Sequence, residues 1–122
     1  MDKKILIIED NRLSREILKA DLEREGFQVS VAAEGEEGLE KIKNEKIDLV
    51  VLDLVLPRLD GFGVISIIKG NPETKYIPIV VFTGRDSEEE IEEVRRLGAE
   101  YCCVKYKLKP AELVEIIKEI LD

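Results

Sequence analysis

Four apolar runs in this chain each end on a polar residue able to do chemistry. Asp53 follows Leu49 to Leu52 and precedes Leu54-Val55-Leu56-Pro57 and Asp60-Gly61; Glu9-Asp10 ends the run Lys4 to Ile8. Thr83-Gly84 ends Ile79 to Phe82, and Lys105 ends Tyr101 to Val104. Carboxylates gathered in one place repel and raise each other's proton affinity, and a hard divalent cation or an ammonium is the usual remedy. Oxygen donors with no imidazole or thiolate favour magnesium or calcium over zinc, and few protein ligands with open water positions favour magnesium. Such an ion beside an exposed Asp suggests phosphoryl chemistry, in which an Asp oxygen attacks phosphorus and forms an acyl phosphate. Positioning and charge neutralisation do most of the work in such a transfer. The ion would hold one phosphoryl oxygen, Lys105 another and the Thr83 hydroxyl a third, while Gly84 leaves room for the incoming group. Singly, each residue has a plainer reading, since strands commonly end in polar loops and a lysine there is usually solvated. Asp53 is the exception, and the elements that would bring the set together decide between the readings.

Those elements alternate. Lys4 to Ile8 reads as a buried strand, followed by a helix that Asn11 can cap. In that helix Leu13, Ile17 and Ala20 share one face, with Leu18 and Leu22 beside it, and Gly26 stops it. Phe27 to Ala32 alternates as a strand, and Glu34-Gly35 turns into a helix with Leu39 and Ile42 inward. Asp48 to Asp53 is the central strand, its unbroken apolar run suited to burial on both faces. Gly61 to Lys69 is a helix carrying Val64, Ile65 and Ile68, and Ile79 to Phe82 is the fourth strand. Asp86 or Ser87 caps the next helix, whose first turn holds Glu88, Glu89 and Glu90, complementing the helix dipole. Its stripe is Ile91, Val94 and Leu97, and Gly98 closes it; Tyr101 to Val104 is the fifth strand. Pro110 opens a last helix facing inward with Leu113, Ile116, Ile117 and Ile120.

Five strands alternating with five helices predict an α/β fold, a doubly wound five-stranded parallel sheet with helices on both faces. Right-handed crossovers leave the flavodoxin-like order 2-1-3-4-5 as the natural one. In that order the first and third strands are neighbours, so Asp10 and Asp53 lie side by side at the switch point, where such sheets place their ligand crevice.

Composition narrows the field. The 122 residues suit one domain, spanning 1–122, and a chain of this size can bury a core without disulfide or metal. A net charge of -8 argues against nucleic acid as a direct partner. The absence of histidine removes imidazole catalysis and imidazole metal ligands. Cys102 and Cys103 are adjacent in an apolar segment and read as small buried hydrophobes in a reducing cytoplasm. Neither a signal peptide nor a membrane-length apolar run is legible.

Taken together, Glu9-Asp10, Asp53 to Pro57 with Asp60-Gly61, Thr83-Gly84, Gly98-Ala99 and Lys105 resemble a response-regulator receiver domain of two-component signalling, over essentially the whole chain. The resemblance implies that Asp53 accepts phosphate from a phosphohistidine of a sensor histidine kinase or phosphotransfer protein. It implies Mg2+ held by Asp10, Asp53 and the Val55 carbonyl, with Glu9 acting through water. Thr83 would bind the phosphoryl group and move with it, Lys105 would pair with it, and Val55 and Arg85 would tune its hydrolysis, which family members catalyse themselves. A downstream protein target, no membrane, and a monomer or weak homodimer are the corresponding expectations.

Two positions depart from the family pattern. The lysine is usually followed by a proline in a cis peptide; here Tyr106 follows Lys105, and a cis bond before a non-proline costs about 3 kcal/mol, so a trans bond is expected. Lys109-Pro110 offers a Lys-Pro pair but lies too far past Gly98. The family also places an aromatic switch residue three before the lysine; here that residue is Cys102, with Tyr101 one place earlier and therefore on the other face unless a bulge restores it. These departures motivate a second reading, a pseudo-receiver that binds a protein without phosphorylation. Two further readings fare worse. A haloacid-dehalogenase-type phosphatase would want a second Asp where Val55 stands, and a flavodoxin would want a Ser/Thr-rich loop where Glu9-Asp10-Asn11 would repel phosphate.

Overall fold

Residues 2–122 are described by a computed structural model. The elements run β1 (Lys4–Ile8), α1 (Arg12–Arg24), β2 (Gln28–Ala32), α2 (Gly35–Asn44), β3 (Leu49–Leu52), α3 (Gly61–Gly70), β4 (Ile79–Thr83), α4 (Glu88–Leu97), β5 (Tyr101–Val104) and α5 (Pro110–Leu121). A short 3-10 turn, Lys105–Lys107, separates β5 from α5 and was not legible in the sequence. The five strands form one parallel sheet in the order β2-β1-β3-β4-β5, as the alternation predicts.

Period-two alternation divides the strand residues between two cores. Leu6, Ile8, Val50, Leu52, Ile79 and Val81 face α2, α3 and α4, where they meet Ile42, Val64, Ile65, Ile68 and Val94. Ile5, Ile7, Leu49, Val51 and Val80 face α1 and α5, where they meet Leu18, Leu22, Leu113, Val114 and Ile117. Both faces of β3 are thus covered, which is why its sequence is apolar without alternation.

Asn11 caps α1 as the sequence suggests, its Oδ1 accepting the Ser14 N–H at 2.9 Å, and of the two candidates for α4 Ser87 is the cap rather than Asp86. Asp60, not read as a cap from the sequence, caps α3 by accepting the Gly63 N–H at 3.0 Å. Gly98 ends α4 at φ 107°, a left-handed conformation costly for other residues.

Helix faces depart more. Leu13 and Ile17 are exposed (71% and 52%), as is Ala20; Leu18 and Leu22 alone of the apolar set in α1 are buried. Five apolar residues between Leu13 and Leu22 cover more than one face, and their spacing does not say which face meets the sheet. Leu18 and Leu22, four apart, pack on it, while Arg15 aims its guanidinium at the Glu9 carbonyl (2.9 Å). In α5 the fully buried residues are Leu113, Val114 and Ile117, with Ile116 and Ile120 only half-buried.

Close backbone approach fixes the top of β3. The Gly61 N–H donates to the Leu54 carbonyl at 2.9 Å, and a Cβ at Gly61 would lie 2.6 Å from both the Asp53 carbonyl oxygen and the Leu54 Cα. The N-terminus of α3 therefore presses directly on the segment that presents Asp53.

Candidate functional site

β1 and β3 are paired through Ile8 and Leu52, and the ladder continues one step, with the Asp53 N–H donating to the Ile8 carbonyl at 3.0 Å. That bond brings Asp53 beside Glu9. The Glu9 N–H is itself held by the Ala32 carbonyl of β2 at 3.0 Å, so the acidic pair after β1 is anchored from both neighbouring strands. Glu9 and Asp53 are buried and Asp10 is exposed, and one carboxylate oxygen from each lies within 4.8 Å of the other two.

Among the described residues, the Lys105 ammonium serves this cluster. Lys105 Nζ lies 2.5 Å from Glu9 Oε1 and 3.4 Å from Asp53 Oδ2, with its charge 5.7 Å from the Phe82 ring centroid. The other Glu9 oxygen accepts the Asn11 N–H at 3.0 Å, and Asp53 Oδ1 accepts the Val55 N–H at 3.3 Å. Burial raises the Glu9 pKa, and the Asp53 charge adds to that rise against the lowering by Lys105 and the Asn11 N–H. Burial acts to lower the Lys105 pKa, but the hydrogen bond to Glu9 and the two carboxylate charges outweigh it and raise it. Lys105 is therefore a fixed cation.

Thr83, fully buried at the end of β4, lies on the strand between those that carry Asp53 and Lys105. Its Oγ1 accepts the Arg85 N–H at 3.2 Å, which leaves the hydroxyl hydrogen free to donate. Gly84 and Arg85 are exposed, a Cβ at Gly84 would meet nothing within 4 Å, and the Arg85 guanidinium pairs with Glu90 at 2.5 Å. Val55, in the loop after Asp53, is exposed (47%).

Among the described residues the pocket sets three carboxylates against the Lys105 ammonium and the Arg15 guanidinium that sits on the Glu9 carbonyl, and so stays short of positive charge. An all-oxygen donor set, one member of it open to solvent, fits a hard divalent ion such as Mg2+. The residues the sequence selects as Glu9, Asp10, Asp53, Thr83 and Lys105 are brought to the same edge of the sheet.

The switch candidates separate. β4 and β5 pair in unbroken register from Val80↔Tyr101 to Thr83↔Val104, with no bulge. Cys102 shares the face of Val81 and Thr83, whereas Tyr101 lies on the opposite face and cannot stand in for the aromatic partner of Thr83. All peptide bonds among the described residues are trans, including that before Tyr106. Sequence reasoning missed two cross-loop ties. Arg58, at φ 63°, makes a forked pair with Glu34 (3.0 and 2.6 Å), linking the loops after β3 and β2. The Tyr106 hydroxyl donates to Asp86, linking the turn after β5 to the loop after β4. Arg58 and Tyr106 belong to no local pattern, so only spatial neighbours reveal them.

A doubly wound five-stranded parallel sheet in this order, with an acidic crevice at its switch point, is the flavodoxin-like architecture of CheY-like domains. Residues 5–118 match the family model described as response regulator receiver domain. The chain belongs to the response-regulator receiver domain family. It is 39% identical over 124 residues to the alkaline phosphatase synthesis transcriptional regulatory protein PhoP of Bacillus subtilis, covering 99% of this chain and 49% of PhoP. A CheY-like receiver domain protein from Methanospirillum hungatei superposes with a TM-score of 0.92 at 33% identity, covering 100% of this chain and 95% of that one. The phosphorylated cyanobacterial phytochrome response regulator RcpA superposes at 0.85 and 28% identity, covering 98% and 91%. The chain spans about half the length of the curated relatives it matches. Phosphorylation and Mg2+ binding at an acidic pocket are general properties of receiver domains, which work with sensor histidine kinases or phosphotransfer proteins. Nothing in these likenesses supports a phosphorylation-independent pseudo-receiver. No helix among the described residues is long and apolar enough to cross a membrane.

Proposed function

We propose that residues 1–122 act as one receiver unit in which Asp53 is the phosphoacceptor. The observation that carries this reading is the convergence of Glu9, Asp10 and Asp53 within 4.8 Å, with Lys105 reaching two of them. Asp10, Asp53 and the Val55 carbonyl would hold Mg2+, with Glu9 joining through water. When bound, the ion supplies positive charge to the phosphoryl oxygens.

An Asp53 carboxylate oxygen attacks the phosphorus of a phosphohistidine. The new O–P bond forms as the N–P bond breaks, and the departing imidazole takes up a proton from solvent. Lys105 shifts from the carboxylates to a phosphoryl oxygen and offsets its charge, and the Thr83 hydroxyl donates to another. Val55 and Arg85, both exposed and each two residues beyond a site residue, govern how readily water reaches the acyl phosphate and so its lifetime. Ordering Thr83 towards the phosphoryl group biases the β4–α4 loop, and with it the surface formed by α4, β5 and α5. A partner that reads this surface is a separate protein or another part of a longer chain. The acidic charge speaks against nucleic acid only for the residues in hand, since PhoP is by name a transcriptional regulator.

The test is incubation with Mg2+ and acetyl phosphate, followed by intact-mass measurement. The wild-type chain is expected to gain one phosphoryl group and Asp53→Asn none. Equal gain by both, or none by either, would overturn the assignment.

A further inference from the structure

The turn that follows Lys105 is exposed and has no proline to stiffen it, yet its lysine must hold a defined place beside Asp53. What replaces the stiffening is next to the lysine. Tyr106, itself 64% exposed, donates its hydroxyl to the Asp86 carboxylate across the gap between the two loops. The Lys107 ammonium sits 5.7 Å from the Tyr106 ring centroid and backs the ring from its own turn. Asp86 is one residue from Arg85, whose N–H binds Thr83 Oγ1 and whose guanidinium binds Glu90, so the acceptor is part of a braced loop rather than a loose one. Consecutive residues thus tie three loops together: Lys105 reaches Glu9 after β1 and Asp53 after β3, and Tyr106 reaches Asp86 after β4.

We propose that Tyr106 is a positioning residue for phosphoryl transfer, holding the Lys105 turn in register with the Thr83 loop through its hydrogen bond to Asp86. The inference rests on Asp53 being the phosphoacceptor. Lys105 has to leave Glu9 and Asp53 for a phosphoryl oxygen during transfer, and at that moment its own ion pairs no longer anchor the turn. Neither Tyr106 nor Asp86 contacts Glu9, Asp10 or Asp53, so their bond is not one that the transfer itself must break, and it ties the Lys105 turn to the loop that Thr83 moves. Without it the turn samples more conformations, fewer of which present the ammonium to the incoming group.

The experiment measures initial rates of Asp53 phosphorylation by acetyl phosphate with Mg2+, across donor concentrations, in wild type, Tyr106→Phe, Asp86→Ala and the double variant. Loss of one hydrogen bond at an exposed site sets the expected scale, a fall of about threefold to tenfold in the maximal rate. The donor concentration at half-maximal rate and the melting temperature should stay close to wild type. The double variant should be no slower than the slower single variant, and Tyr106→Phe should have no further effect in a Lys105→Met background. A Tyr106→Phe rate equal to or above wild type, multiplicative losses in the double variant, or an undiminished Tyr106→Phe effect without Lys105 would each overturn the inference alone. Failure of the wild-type chain to take up phosphate would instead overturn the phosphoacceptor reading, and this inference with it.

Discussion

Substituting Gly61 by alanine tests whether the close seat of α3 on the end of β3 is what presents Asp53. The added Cβ would lie 2.6 Å from the Asp53 carbonyl oxygen and 2.6 Å from the Leu54 Cα. Both are backbone atoms, so no rotamer change relieves the contact and the chain itself must shift. Overpacking of this kind costs about 1–3 kcal/mol. At about 4 °C per kcal/mol for a chain of this size, the melting temperature should fall by roughly 4–12 °C. Gly70, at the other end of the same helix, supplies the control. A Cβ there meets nothing within 4 Å and its φ is not left-handed, so Gly70→Ala should stabilise by about 0.5–1 kcal/mol through lost freedom of the unfolded chain. Two identical substitutions in one helix should therefore act with opposite sign. The assay is thermal and urea unfolding, repeated with Mg2+. An ion at ten times its Kd should add about 1.4 kcal/mol to wild type, and less to Gly61→Ala, because the displaced segment carries Asp53 and the Val55 carbonyl. Gly61→Ala matching wild type in both stability and its response to Mg2+ would refute the claim that this approach positions the site.

Asp10→Asn should abolish most of the Mg2+-dependent rise in melting temperature while leaving the metal-free fold near wild type, since Asp10 is exposed and outside both cores; an undiminished rise would place the ion elsewhere. Lys105→Met removes the ammonium paired with Glu9 and Asp53 and should destabilise the metal-free chain by about 1–3 kcal/mol, discounted because the lysine is 28% exposed, with Mg2+ restoring part of the loss in urea melts. Burial, then the neighbouring Cys102, pushes the Cys103 thiol up to about 11. The folded state thus prefers the neutral thiol, and this contribution to stability is intact below about pH 9 and lost as pH rises through about 11. At pH 8 the native thiolate fraction is then lower than in the unfolded chain by about 100-fold, so iodoacetamide should label Cys103 far more slowly in buffer than in urea; rates within tenfold of each other would contradict the burial.

What the sequence alone determined was the order of elements, the strand topology and the five polar residues at the sheet's edge. Those features are written locally, in apolar runs of strand length, in a cap residue such as Asn11, and in polar residues at the ends of the runs. Burial of α1 on Leu18 and Leu22 rather than on Leu13 and Ile17 was decided by tertiary structure, because apolar residues cover more than one side of that helix and only the sheet selects between them. The loss of Tyr101 as a partner for Thr83 was likewise decided by the unbroken register of β4 with β5, which no single strand encodes. The ties from Tyr106 to Asp86 and from Arg58 to Glu34 join residues 20 and 24 positions apart, on loops that become neighbours only when the strands pair. Local pattern states which residues end each strand; what those residues touch is set by which strands lie side by side.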